Sequence, residues 1–216
     1  MTELDWGQRI RQCLAGTQPN HAEGMLLLPG LTAEQSRAYR GFFPAQPTPA
    51  AVLIPIVERE EALTVLLTQR ATQLKNHAGQ ISFPGGRIEP ADEGPRAAAL
   101  REAQEEIGLA PDFVSVAGYL PDHIVISGFR VTPVVGFVQP GFELRLDAVE
   151  VAGTFEVPLS HVLDPANHRS RIRALPGGER QIEVYDIPYG DYNIWGATAG
   201  MIMTLYRLCA LEASHD

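Results

Sequence analysis

The chain has 216 residues, 45% hydrophobic and 20% charged, with 20 glycines, 17 prolines and a formal net charge of −9. That length suits one well-buried domain with an extra arm, and the composition excludes wholesale disorder and fibrous repeats. The negative charge opposes nonspecific attraction to a phosphate backbone, and the longest apolar runs fall far short of the roughly 18 to 20 residues that span a bilayer, so neither a nucleic-acid partner nor a membrane span is expected.

The opening stretch MTELDWGQRIRQC carries acids and lacks the basic start and apolar core of a secretory signal, which predicts a cytoplasmic protein. Cys13 and Cys209 sit at opposite ends without metal-type spacing and read as ordinary thiols. Residues 1–48 read as an N-terminal arm, helical in part. Helical stretches are expected at Asp5–Leu14 and Thr32–Tyr39, with MLLLP and GFF as apolar anchors onto the main body.

The main domain, 49–216, opens with AVLIPIV, a charged turn and ALTVLLT, a pattern that predicts a β-hairpin with largely buried strands. A polar loop over 69–80 leads to the short strand ISF, a turn at Pro84-Gly85-Gly86 and an acidic loop. A helix from Pro95 to Ile107 comes next, followed by strand-like FVSVAGYL, RVTPVVGFV, EVPL and IRAL. ALPGGERQIEVYDI reads as a hairpin turning at Gly177-Gly178, and an apolar helix is expected from Ala197 to Leu211. Strands and helices alternate without a regular repeat, which points to an α/β sandwich around a mixed sheet. Neither G-x-G-x-x-G nor a P-loop lysine is present.

The segment 85–109, GGRIEPADEGPRAAALREAQEEIGL, carries the chemistry. Pro95 fits the first helical turn, Asp92 and Glu93 suit the positive helix end, and Gly108 fits a left-handed C-terminal position. At about 100° per residue, Leu100, Ala103 and Ile107 cluster on one side, and Glu102, Glu105 and Glu106 cluster on the other. Taken alone, such an acidic face also suits a solvated surface. Its position after a glycine pair changes the reading. Two glycines let a backbone carbonyl approach a shared site, and three carboxylates with a carbonyl match the oxygen ligation that magnesium prefers.

These residues resemble the Nudix hydrolase family, whose box runs from a glycine through an acidic loop into Arg-Glu-x-x-Glu-Glu and a further glycine. The matching positions are Gly86, Arg101, Glu102, Glu105, Glu106 and Gly108, with Ile107 and Leu109 as apolar neighbours. The loop departs from the box by one residue. If Asp92 takes the loop acid's position, eight residues rather than seven precede Arg101; if Glu93 does, its spacing from Gly86 is one too long. Upstream, Leu66, Leu67, Thr68, Arg70, Lys75, His77, Gly79, Gln80, Phe83 and Pro84 are similar to the extension of the coenzyme A pyrophosphatase branch, as are SGFRVTPVVGFV and IWGATAGMI downstream. The resemblance covers roughly Ala50 to Arg207.

The resemblance implies a Nudix-like α/β/α sandwich around a mixed sheet, with 49–216 as the Nudix hydrolase domain. It implies hydrolysis of the diphosphate of coenzyme A and its derivatives to 3′,5′-ADP and 4′-phosphopantetheine, with Mg2+ or Mn2+ as cofactor. The metal would be held by Glu102, Glu105, Glu106 and the Gly86 carbonyl. Arg101 would orient a carboxylate, and Glu102 and Glu150 are the candidates for the base, with Glu150 favoured as an additional metal ligand or base and equally readable as a solvent-facing loop acid. Arg70, Lys75, Arg87 and His77 are candidate substrate contacts, since arginine forks match phosphate geometry; each also suits an ordinary loop position. The partner is a small nucleoside diphosphate, and a homodimer is compatible with the family. Two other readings keep the scaffold: a pyrophosphatase for another nucleoside diphosphate-X, such as ADP-ribose or NADH, and a noncatalytic nucleotide-sensing module.

Overall fold

A computed structural model describes residues 3–19, 46–74, 77–125, 127–174 and 181–211. The expected helix at Thr32–Tyr39, the MLLLP and GFF anchors, Lys75 and the Gly177-Gly178 turn lie outside these residues.

The elements are α1 (Glu3–Leu14), β1 (Thr48–Glu58), β2 (Leu63–Arg70), β3 (Ile81–Ser82), β4 (Gly85–Arg87), α2 (Pro95–Ile107), β5 (Val114–Tyr119), β6 (His123–Ile124), β7 (Phe129–Val138), β8 (Val151–Pro158), α3 (Leu159–Val162), β9 (Arg169–Ala174), β10 (Gln181–Tyr189), β11 (Tyr192–Trp195) and α4 (Gly196–Leu211). The larger sheet runs β3-β2-β1-β7-β5, with β4 also on β1, β6 on β7 and β8 on β2; β9, β10 and β11 form a second sheet. Among the described residues only β1 and β7 pair in parallel, from Thr48 opposite Phe129 to Val57 opposite Val138, so the sheet is mixed.

β1 is apolar from Pro49 to Val57 because its central part is buried on both faces. Ala50, Ile54 and Ile56 join one core with Trp6, Ile10 and Leu14 of α1 and Ala199, Ile202 and Leu205 of α4. Ala51, Leu53 and Val57 join a second core with Ala98, Ala99, Ala103 and Ile107 of α2. Helices therefore cover both faces, giving the α/β/α sandwich. The docking of α1 rests on Trp6, Ile10 and Leu14, residues that the sequence reading did not single out as anchors.

The β1–β2 and β9–β10 hairpins form, and α2 has the expected limits. The expected turn at Gly85-Gly86 is instead strand β4, with Gly86 opposite Ala51 and Gly85 opposite Val52. The chain bends one residue earlier, at Pro84, whose carbonyl accepts the Leu53 N–H at 2.9 Å. A Cβ at Gly85 would meet the Ala51 carbonyl and the Val52 backbone, so glycine here permits tight pairing rather than a reversal. β6 and β11 are too short for periodicity to reveal. Among the described residues no helix is long and apolar enough to cross a membrane, and Cys13 and Cys209 form no disulfide.

Candidate active site

Helix α2 is delimited locally. Gly94 precedes Pro95, and Gly108 closes the helix at φ 72°, donating its N–H to the Gln104 carbonyl at 2.9 Å. Two of the carbonyls left at its C-terminus are taken by the loop between β7 and β8: Arg145 N–H reaches the Ile107 carbonyl and Asp147 N–H the Glu106 carbonyl, both at 2.9 Å. The same loop turns through Asp147, whose carbonyl accepts the Glu150 N–H at 3.0 Å. Capping of α2 thus also brings Glu150 to the carboxylates of the helix.

Arg101 organises the acidic residues. Its Nε and Nη2 donate to the two oxygens of Asp92, each at 3.0 Å, and Nη1 donates to Glu102 at 3.0 Å and Glu105 at 2.8 Å. Nη2 also reaches the Arg87 carbonyl at 3.1 Å. Asp92 is therefore the loop acid that pairs with the box arginine, and Glu93 is exposed; the inserted residue falls between Asp92 and the helix. Asp92 also accepts the Glu89 N–H at 2.8 Å, so its carboxylate closes the loop instead of serving the first helical turn. Hydrogen bonds from Arg101 hold the Asp92 carboxyl below its ordinary value, and those bonds push the guanidinium up in turn.

The three helical glutamates do not share one solvated face, as the helical wheel suggests. Glu105 has a 60% exposed side chain, Glu102 is largely covered and Glu106 is only 5% exposed. Glu106 turns under β4, where its Oε2 accepts the Gly85 N–H at 3.1 Å. Burial is the main cause that pushes the Glu106 carboxyl up to about 7. The charges of Glu102 and Glu150 add to it, while the Gly85 N–H and Arg70 oppose it. Glu102 is raised for the same leading reason, helped by Glu105 and Glu150 and opposed by Arg101. Gly86 leaves the space that the Glu102 carboxylate fills, since a Cβ there would overlap it.

Glu102, Glu106 and Glu150 thus lie within electrostatic reach of one another, two of them desolvated, with a glycine backbone alongside. An all-oxygen set of partly buried, mutually repelling carboxylates suits a hard divalent cation, which would relieve both burial and repulsion. Among the described residues no three acidic, histidine or cysteine side chains already stand close enough to enclose an ion, so these carboxylates would have to converge on it.

Of the expected substrate contacts, Arg70 comes to the site, with Nη1 3.9 Å from Glu106 Oε1. Arg87 does not join the carboxylates. It pairs with Ala50, on the sheet face opposite α2, and its guanidinium lies 5.5 Å from the Phe129 ring. His77 is exposed, with Nδ1 2.9 Å from Gln80 Oε1. Residue spacing alone leaves the Asp92–Arg101 pair and the Arg70–Glu106 approach unassigned. The first carries a signal, an acid nine residues before the box arginine; the second has none, because it depends on sheet pairing.

Residues 47–175 match the NUDIX domain. The chain is 44% identical over 156 residues to an uncharacterized Nudix hydrolase NudL of Citrobacter koseri, covering 72% of this chain and 80% of that protein. It is also 44% identical over 158 residues to the NudL of Escherichia coli K12, with the same coverage. Among solved structures the fold is similar to a C. elegans Ap4A hydrolase binary complex at TM-score 0.50 and 17% identity, covering 76% of this chain and 98% of that one. It is likewise similar to a MutT/nudix family protein from Enterococcus faecalis at TM-score 0.51 and 13% identity, covering 86% and 72%. With the box arginine locked onto Asp92 and the glutamates of α2 gathered beside Gly86, this extent of match means that the chain belongs to the Nudix family and is a pyrophosphohydrolase of the divalent-cation-dependent kind.

Proposed function

We propose that the protein hydrolyses the diphosphate of coenzyme A and its derivatives, with Mg2+ or Mn2+, releasing 3′,5′-ADP and 4′-phosphopantetheine in the cytoplasm. Residues 49–216 form the catalytic domain in this reading and 1–48 the arm. The observation that carries the substrate is the position of Arg70. This residue belongs to the LLTQR segment that resembles the coenzyme A branch, and its guanidinium borders Glu106 of the box helix. The two sequence signatures therefore meet at one place, where a diphosphate would lie between carboxylate-held cations and an arginine fork.

Bound divalent cations supply charge neutralisation of the diphosphate and a lowered pKa for an attacking water. Glu102, Glu106 and the Gly86 carbonyl are suited to hold them, with Glu105 at the exposed rim. Arg101 restrains the Glu102 and Glu105 carboxylates by hydrogen bonds at 3.0 and 2.8 Å, which limits how far they must move to meet a cation. Glu150, tied to the α2 C-terminus through Asp147, is the candidate to accept the proton of the water. One water is consumed: its oxygen is added to one phosphorus, the phosphoanhydride P–O bond breaks, and the departing phosphate keeps the bridging oxygen.

Mass spectrometry after incubation with Mg2+ and, separately, coenzyme A, dephospho-coenzyme A, ADP-ribose and NADH tests the reading. Coenzyme A is expected to be cleaved fastest, to the two named products. Preference for ADP-ribose or NADH would replace this substrate with another nucleoside diphosphate-X. Binding of coenzyme A without any product would make the protein a noncatalytic module.

A further inference from the structure

The two arginines at the site are held in different ways. Arg101 is locked by five hydrogen bonds of 2.8 to 3.1 Å. Arg70 approaches Glu106 at 3.9 Å, which is close enough for charge attraction and too long for a hydrogen bond. Its Nε is buried and has no hydrogen-bond partner among the described residues. An unsatisfied, sequestered guanidinium nitrogen is costly, and a site that needed Arg70 permanently in this place would be expected to satisfy it.

The backbone beneath Arg70 is nevertheless firmly set. It ends β2 where the pairing with β8 slips: Gln69 lies opposite Gly153 and Arg70 opposite Val151. Ala152 is the extra residue of this irregularity, a device that re-aims side chains beside active sites. Arg70 N–H donates to the Gln80 carbonyl at 2.9 Å, and its own carbonyl accepts the Gly79 N–H at 3.1 Å. The next residue, Ala71, donates to the Glu150 carbonyl at 2.8 Å. A rigid strand end thus delivers a side chain whose charged tip is held only by charge, toward the most buried carboxylate of α2.

We propose that Arg70 is an exchangeable counter-ion. It is the counter-ion of the ionised Glu106 carboxylate in the metal-free enzyme and yields that carboxylate when a divalent cation arrives, which frees its guanidinium for the anionic oxygens of the diphosphate. Two positive charges cannot share one buried carboxylate without repulsion, so metal binding and the Arg70–Glu106 pair oppose each other. By linkage, removing the pair strengthens binding of the metal by what the pair had cost. Arg70 is in this sense a positioning residue for the metal site before it is a substrate contact. The inference rests on reading the carboxylates of α2 as metal ligands.

The test uses the full chain and Mn2+ alone. Thermal melting with chelator and with saturating Mn2+, and calorimetric titration of Mn2+, are compared for the wild type, Arg70→Met, Arg70→Gln and Arg70→Lys. Both neutral variants are expected to melt lower than the wild type without metal and at the same temperature with it, so their Mn2+-induced shift is larger. Their Mn2+ affinity rises about five- to tenfold, at the lower end of usual coupling between sites. Arg70→Lys restores wild-type behaviour. Equal loss of melting temperature with and without Mn2+, or an unchanged or weaker affinity, overturns the exchange and leaves Arg70 a structural ion pair. If one neutral variant fails to fold, the other decides. A wild type that shows no Mn2+ shift overturns the metal-ligand reading itself, whereas a wild-type shift that Arg70→Met does not exceed overturns only the exchange.

Discussion

Asp92 and Arg101 meet edge to edge, Nε on Oδ1 and Nη2 on Oδ2, both at 3.0 Å, across nine residues that include the inserted one. The insertion is absorbed before the helix starts, and the arginine still reaches the acid that fixes it. Because Asp92 is 6% exposed and Arg101 26%, the pair is shielded from solvent on the carboxylate side.

Asp92→Ala leaves Arg101 Nε without its partner and Nη2 with only the Arg87 carbonyl, which loosens the guanidinium that fixes Glu102 and Glu105. Turnover is expected to fall at least tenfold, the order seen when a group that orients metal ligands is lost (about 10–100-fold). Glu93→Ala, at an exposed position one residue along, is expected to leave kcat and melting temperature unchanged. Steady-state kinetics of the two variants check the assignment of the loop acid; equal losses would reverse it.

Glu106→Gln retains an oxygen that can accept the Gly85 N–H, so the β4–α2 contact survives without a buried charge. The variant is expected to fold, to lose roughly 10²-fold or more in kcat, in line with removal of one electrostatic group from an active site, and to show no Mn2+-induced stabilisation. Retained turnover would remove Glu106 from the metal site.

The metal-free protein is expected to lose stability as pH rises from about 5 to about 8. The Glu106 carboxyl is pushed up to about 7 in the folded chain against an ordinary 4.5, so it binds more protons folded than unfolded. Its contribution is complete below the unfolded value and disappears as pH climbs through the folded one. Glu102, also raised, acts in the same direction, whereas the lowered Asp92 acts only at more acid pH. Thermal melts in chelator across this range should slope downward, and Glu106→Gln should flatten most of the slope. Affinity for Mn2+ should rise over the same interval, because the cation displaces the proton.

The two glycines of β4 separate function from folding. A Cβ at Gly86 meets the movable end of Glu102, so Gly86→Ala is expected to cost little stability and much activity. A Cβ at Gly85 meets the Ala51 carbonyl and the Val52 Cα in β1, so Gly85→Ala is expected to lower the melting temperature by several degrees, as about 1 kcal/mol or more would do. Melting and kcat measured together distinguish the two; equal melting temperatures would contradict this division.

Much of the fold was legible in the chain. The β1–β2 hairpin showed in two apolar runs around a charged turn, and α2 in its proline and glycine limits. β4 was misread because glycine pairs usually mark turns; here the absence of side chains lets a strand press against β1. At the site, residue types and order pointed to the carboxylates, but the helical wheel placed Glu106 with Glu105, away from the packing side. The two differ by one position, and β4 lies over one of them only.

Sequence alone determined what is local: where α2 starts and stops, which of its residues bear carboxylates, and that they follow a glycine pair. Those properties depend on backbone sterics and a repeat of a few residues. Tertiary structure alone decided which glutamate is desolvated, which loop acid takes Arg101, and that Arg70 and Glu150 come to Glu106. Each of these depends on strand register, on the β2–β8 irregularity and on the loop that caps α2. A carboxylate's charge state follows from what excludes water around it, and here that work is done by residues far away in the chain.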